Sequence, residues 1–142
     1  MEGLVKELVR VIDRLSENMR QSMEKYREED AYRALFRLTI TQLHYLHRIR
    51  TSVGILPSEL ARYFHVQKPT VTNILKRLES CGYIRREPSK EDGRICHIYL
   101  TAEGEHLLDL ESAGYASFAE SAARSLSAKE QEELLYLLRK ME

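Results

Sequence analysis

The sequence predicts a mainly α (α+β) fold: a winged helix-turn-helix whose wing is a two-stranded β-hairpin, with long helices at the N- and C-terminal ends. Three observations predict it. Two helical segments, residues 57–64 and 67–81, are separated by a tight turn. Two short stretches rich in β-branched and aromatic residues follow, 83–87 and 95–100, joined by the charged segment Pro88-Ser89-Lys90-Glu91-Asp92-Gly93-Arg94. That is the pattern of a hairpin. On either side, apolar residues recur at helical spacing.

Taken in order, Leu4, Leu8, Val11, Leu15, Met19, Met23 and Tyr26 form one stripe with Lys, Arg and Glu between, predicting a helix of about six turns to near Arg27. A lone helix of this length cannot bury its stripe and needs another helix or another chain. A shorter helical piece is expected around residues 31–36. Thr39-Ile40-Thr41-Gln42 fits a capping box, the Thr39 hydroxyl accepting from the third amide while Gln42 reaches back. The next helix places Leu43, Leu46, Ile49 and Val53 on one face, with His44, Arg48 and Thr51 on another, and is expected to stop at Gly54. Pro57 suits a first helical turn, with Leu60, Ala61 and Phe64 inward.

Over residues 67–81, at about 100° per residue, Val71, Ile74, Leu75 and Leu78 make one apolar stripe. Pro69, Asn73 and Lys76 lie nearly opposite, flanked by Thr70, Thr72 and Arg77, and Gly82 ends the helix. Thr101 caps a long helix, and Ser127-Ala128-Lys129-Glu130 is a second capping box opening a final helix through Leu134, Leu138 and Met141. Ala113, Gly114, Ala116, Ala119, Ala122 and Ala123 predict close approach to the N-terminal helix or to a symmetry mate.

The 142 residues suit one compact domain. With 43% hydrophobic and 31% charged residues the chain is neither disordered nor membrane-like. No apolar run reaches the roughly 18 residues of a spanning helix, and residues 1–20 are amphipathic and charged, unlike a signal peptide. A cytoplasmic protein is expected, with no membrane partner. Cys81 and Cys96 form no CxxC motif and are expected to be reduced and partly buried. A disulfide between them would need Cβ atoms within about 4.5 Å.

The net charge of zero at first argues against a polyanionic partner, but it is unevenly spread. Residues 1–56 carry ten basic and eight acidic side chains, residues 57–100 eight and five, and residues 101–142 four and nine. A mildly basic middle can meet a polyanion on one face while the whole stays neutral.

The outward face of residues 67–81 gives that middle a purpose. The second helix of a helix-turn-helix enters a major groove about 12 Å wide. Here it would present Thr70, Thr72, Asn73, Lys76 and Arg77. Asn can bond adenine in bidentate fashion, and a Thr methyl can meet a thymine methyl. Lys68, Lys76 and the helix N-terminal amides would position phosphates without reading sequence. At the hairpin tip Lys90 and Arg94 are expected to reach DNA, Arg94 through the minor groove, with Asp92 bracing its guanidinium. Against this stands the ordinary reading of a solvated helix face. The conjunction of helix, turn, helix and charged wing weighs against it.

From residue 38 to 100 the sequence resembles the MarR family of bacterial and archaeal regulators. The matching pieces are Leu38-Thr39 with Gln42, Pro57-Ser58-Glu59-Leu60-Ala61, Lys68-Pro69-Thr70-Val71-Thr72, Arg77-Leu78-Glu79 with Gly82 and Ile84, Asp92-Gly93-Arg94, and Leu100-Thr101 with Gly104. The resemblance implies one domain over residues 1–142, with 39–100 as the DNA-binding lobe and 1–38 and 101–142 as a helical dimerisation region. It implies a homodimer on double-stranded DNA, each lobe taking half of a pseudo-palindromic operator, usually as a repressor released by a small phenolic or other effector. By position, Lys68, Thr70, Thr72, Asn73 and Lys76 match the recognition helix, and Arg94 the wing arginine. Gln67, at the helix start, and Pro69 belong to the same expected DNA-binding set. Gln67 and Leu56 replace a capping Ser and Thr common in the family, Gly93 replaces a common Arg, and the N-terminal reactive Cys of peroxide-sensing members is missing.

Tyr26, Phe36, His44, Tyr45 and Arg48 are candidates to line an effector pocket, although aromatic residues at helical spacing more often belong to a core. His44 also resembles a zinc ligand of metal-sensing members, with His47, Glu103 and His106 as candidate companions. The clustered histidines of those sensors are absent, so no bound metal or cofactor is expected. No GxSxG, phosphate-cradling glycine loop or HExxH is present, and Glu91-Asp92 and Glu132-Glu133 sit in charged stretches, so no enzyme is expected. Three readings stay open: a ligand-responsive transcription factor, a protein-interaction module of the same fold, and a metal-responsive regulator using His44.

Overall fold

The structure is a computed structural model and describes residues 1–141. In chain order it contains α1 (Glu2–Met23), a single 3-10 turn (Glu24–Tyr26), α2 (Asp30–Leu35), α3 (Ile40–Thr51), α4 (Pro57–Tyr63), α5 (Lys68–Ser80), β1 (Ile84–Pro88), β2 (Cys96–Leu100), α6 (Ala102–Arg124) and α7 (Ala128–Arg139). The mainly helical fold with a two-stranded antiparallel sheet is the one the sequence predicts. Contacts group the chain into two compact units: Arg27–Glu111, and Met1–Tyr26 with the chain from Ser112 onward.

In the first unit α3 packs on β2, α4 on α5 and β2, and α5 on β1. Val71, Leu75 and Leu78 are buried as the stripe of α5 requires, together with Leu60 from α4 and Ile84 and Ile98 from the hairpin. Each such side chain contributes roughly 1.5–3 kcal/mol by leaving water. Ile84 pairs with Leu100 and Pro88 with Cys96, so the strands stay in register along their whole length. Ile55 adds an isolated bridge to Ile98, whose N–H donates to the Ile55 carbonyl at 2.9 Å.

That bridge explains where α3 departs from expectation. The helix ends at Thr51 with Ser52 as its cap, not at Gly54. The Thr51 hydroxyl donates to the carbonyls of His47 and Arg48, and the chain then turns so that Ile55 can reach β2. Helical periodicity stops there, so Val53, expected inward, is 85% exposed. The buried face of α3 is instead Gln42, Tyr45, Leu46 and Ile49, with Leu43 only half-buried.

Local signals were followed closely elsewhere. Both capping boxes form, Thr39 with Gln42 and Ser127 with Glu130, and the Thr101 hydroxyl accepts the Gly104 N–H at 3.1 Å. At the end of α5, Gly82 takes φ +80°, its N–H donates to the Glu79 carbonyl, and the Tyr83 N–H donates to that of Leu78. This is a Schellman closure, which favours a residue without a Cβ at the left-handed position. Cys81, expected to be partly buried, is exposed, and both cysteines are free.

In the second unit a Cβ on Gly114 would meet Met23 Cγ and Sδ at 2.9 Å, so the small residue lets α6 lie close against α1. Met23 is fully buried there. The rest of the long stripe is not: Leu4, Leu8 and Val11 are exposed, as are Leu134, Leu138 and Met141 in and after α7.

Candidate nucleic-acid interface

The helix-turn-helix is α4, a short turn and α5. The turn closes with the Val66 N–H on the Ala61 carbonyl at 3.0 Å and with His65 at φ 52°. Pro69 occupies the first turn of α5, where its missing N–H costs nothing. Neither Gln67 nor Leu56 provides a side-chain cap. At α4 the Leu56 N–H donates to the Glu59 carboxylate at 2.8 Å instead. With no side-chain cap at Gln67, no N–H on Pro69 and the Thr70 N–H donating to the Gln67 carbonyl at 3.0 Å, the first turn of α5 offers an anion the N–H of Lys68.

With Val71, Leu75 and Leu78 held in the core, the opposite face of α5 must point outward. Lys68, Pro69, Thr70, Thr72, Asn73, Lys76 and Arg77 are all exposed, as is Gln67 ahead of them. The Thr72 hydroxyl donates to the Lys68 carbonyl at 3.0 Å. That fixes its rotamer and leaves the oxygen free to accept.

The wing tip is braced through its backbone. Ser89 Oγ accepts from the Glu91 and Asp92 N–H groups, and the Ser89 N–H donates to the Ile95 carbonyl at 2.7 Å. Asp92 Oδ1 accepts the Arg94 backbone N–H at 3.0 Å. This corrects the expectation that Asp92 grips the guanidinium. The carboxylate shapes the turn, and the Arg94 side chain is exposed.

Lys68, Thr72 and Arg94 are brought together around one hollow of about 530 Å³, walled by Pro57 and Ser58 at the start of α4. Arg86 joins them there, a residue the sequence reading did not single out. Its Nε donates to Glu79 of α5 at 2.9 Å, tying strand to helix. The signal was present in the pair Arg85-Arg86, since successive strand residues face opposite sides. Arg85 goes the other way, paired with Glu87 and stacked over Tyr99. Gln67, Pro69, Thr70, Asn73, Lys76, Arg77 and Lys90 do not line the hollow and are spread over the helix face and the wing tip.

The residues named for an effector are more dispersed. Tyr45 is 1% exposed and stacked on Phe64 with centroids 4.2 Å apart, so it is a core residue. Burial pushes its phenol pKa above the ordinary value. Arg48 lies over the Tyr63 ring at 4.1 Å, Phe36 stands half-exposed against Tyr32, and His44 is exposed. Tyr26 belongs to the other unit. None of the five lines the 460 Å³ cavity of the first unit. Its wall includes Tyr83, whose phenol is held protonated chiefly by burial and further by nearby Cys81, against the opposing pull of Arg37. The metal candidates also separate. His47 Nε2 bonds buried Glu111 at 2.6 Å and His106 pairs with Glu29 at 3.3 Å. No group of three or more His, Cys, Asp or Glu able to hold a metal occurs among the described residues.

Residues 38–96 match the family model described as MarR family. The transcriptional regulator HosA of Escherichia coli is 36% identical over 104 residues, covering 73% of this chain and 77% of HosA. The chain belongs to the MarR family. It is a DNA-binding transcriptional regulator and not an enzyme. The HTH-type transcriptional repressor Rv2887 of Mycobacterium tuberculosis is 32% identical over 105 residues, covering 73% of this chain and 75% of that protein. Among solved structures, S. aureus MepR bound to ethidium bromide aligns at a TM-score of 0.70 and 27% identity, covering 96% of this chain and 92% of MepR. A MepR variant bound to an oligodeoxyribonucleotide aligns at 0.68 and 24%, covering 96% and 94%. Among the described residues, no helix is long and apolar enough to cross a membrane.

Proposed function

We propose that this MarR-family regulator works in the cytoplasm as a homodimer that represses transcription from a pseudo-palindromic operator and leaves it when a small molecule binds. The observation that carries the reading is the convergence of Lys68, Thr72, Arg86 and Arg94 on one hollow beside the exposed polar face of α5. Helix N-terminal amides and cations position phosphates, and the Thr70, Thr72 and Asn73 side chains read base edges. The homodimer is supported by the apolar rows left exposed on α1 and α7, since a monomer rarely leaves so much contiguous apolar surface in water. Repression is supported by the description of Rv2887 as a repressor, and ligand response by MepR having been solved with ethidium.

The test is a gel shift on the DNA upstream of its own gene, with fragments selected from random DNA as a second source. A two-fold site with half-sites about one helical turn apart is expected. Binding should weaken steeply between low and physiological salt as phosphate counterions are released. Arg94→Ala should reduce affinity about tenfold or more through lost wing contacts. No retardation of any fragment at low salt would overturn the reading.

A further inference from the structure

Glu79 runs against helix electrostatics. It stands in the last turn of α5, beside the final residue Ser80, where the carbonyl end of the helix dipole disfavours a carboxylate. On the operator-binding reading above, it also puts a negative charge on the helix that meets DNA. A carboxylate disfavoured on both counts needs a compensating partner, and the fold supplies one. Glu79 follows Thr72 by seven residues, close to two full turns, so both lie on one face of α5 and the Glu79 side chain leans back towards Thr72. Arg86 meets it there, its Nε donating to Glu79 Oε2 at 2.9 Å.

Arg86 comes from the inner face of the hairpin. It sits opposite buried Ile98 in the strand register, two residues after buried Ile84, and its side chain is only 28% exposed. A guanidinium carries five N–H donors in one rigid plane. The Nε bond to Glu79 uses one of them and settles the orientation of that plane. The donors on the two terminal nitrogens have no partner among the described residues. Arg86 lines the 530 Å³ hollow together with Lys68, Arg94, Ser58 and Thr72, and no Asp or Glu lines it. We infer that Glu79 is a positioning residue for DNA binding: it holds Arg86 through Nε so that the terminal edge of the guanidinium takes a backbone phosphate in the hollow. The inference rests on the operator-binding reading and adds to it a residue whose charge alone would oppose DNA.

Two opposed effects decide what Glu79 does. Its charge repels phosphates, but the side chain is 41% exposed, and salt screens exposed charges over about 10 Å at 0.1 M. Its hold on Arg86 acts at contact distance. An arginine free to rotate loses rotamer freedom on each phosphate it binds, whereas one already oriented by a carboxylate loses less. The phosphate contact itself is a direct charge-assisted bond, bidentate when the fork is correctly turned. Positioning therefore outweighs repulsion while Arg86 is present. Without Arg86 only the repulsion remains, so the sign of the Glu79 contribution depends on its partner.

The test is a double-mutant cycle on the full chain, read by gel shift across a salt series with a fragment selected from random DNA. Arg86→Ala should weaken binding by about tenfold and lower the slope of log affinity against log salt by about one per subunit. Glu79→Ala should weaken binding by about threefold or more, although it removes a negative charge. In the Arg86→Ala background the same Glu79→Ala change should leave affinity unchanged or raise it. Thermal melts check that each variant folds, and Arg86→Gln takes the place of Arg86→Ala if the alanine variant does not. Unchanged or tighter binding by Glu79→Ala alone, an equal loss in both backgrounds, or a salt slope untouched by Arg86→Ala would each overturn the inference. The parent protein reports separately on the reading beneath it. If it retards no fragment, the operator reading fails and takes the inference with it. If it binds while Glu79→Ala is neutral, the inference alone fails.

Discussion

His65 turns the backbone between the two helices of the DNA-binding motif at φ 52°, a conformation that costs an ordinary side chain roughly 1–2 kcal/mol. A β-branched residue suffers most there, so His65→Val should lower stability by about that amount in urea unfolding, while His65→Gly should not. Gly104 is constrained by space instead: a Cβ would sit 2.2 Å from the Tyr83 carbonyl oxygen. Because the obstacle is backbone, Gly104→Ala must displace β1 or α6, and a loss of about 1–3 kcal/mol is expected. Glu111 is buried against His47 at 2.6 Å, and His47→Ala would strand a buried carboxylate at about 1–3 kcal/mol. Replacing both residues with apolar ones should cost less than the sum of the single changes, which a double-mutant cycle measures. None of these three was legible in the sequence. A non-glycine at positive φ has no signature, and the other two depend on partners 21 and 64 positions away. Tyr45 was ambiguous for a related reason: one helix face can serve a core or a pocket until the stacking on Phe64 decides between them.

Helix starts were far more legible than helix ends. The hydroxyls of Thr39, Thr101 and Ser127 and the return bonds of Gln42 and Glu130 form within four residues, so the sequence holds every participant. Ser127→Ala should destabilise α7 by about 1 kcal/mol, read as lost helical ellipticity. The return bonds also set a pH dependence. Glu130 is held below the ordinary carboxylate value of 4.5 by its hydrogen bonds to the Ser127 side chain and backbone. A lowered folded value means its contribution is present above pH 4.5 and disappears as pH falls through the lowered value. The melting midpoint should therefore drop on acidification less steeply in Glu130→Gln than in the parent. The end of α3 was misplaced because a distant strand sets it: Ile55 must reach Ile98, and no local residue announces that requirement.

For the whole molecule, the architecture was readable because hydrophobic period, caps and turn residues all pointed the same way. The candidate interface was readable in its helix and wing tip, where outward side chains follow from an inward stripe. Arg86 was not, since its place beside Lys68 and Arg94 arises from a strand and a helix meeting across the fold. The apolar rows on α1 and α7 lead to a solution measurement. Under the homodimeric reading, the melting midpoint should rise as the protein is concentrated, and sedimentation should show twice the chain mass. A midpoint independent of concentration together with the mass of one chain would count against it. Under the same homodimeric reading, those rows also tie gene control to abundance. When the chain is scarce, paired molecules increase roughly with the square of its concentration. In a cell that doubles its volume without new synthesis, the concentration of operator-competent pairs would then fall to about a quarter, so dilution alone would favour an open promoter.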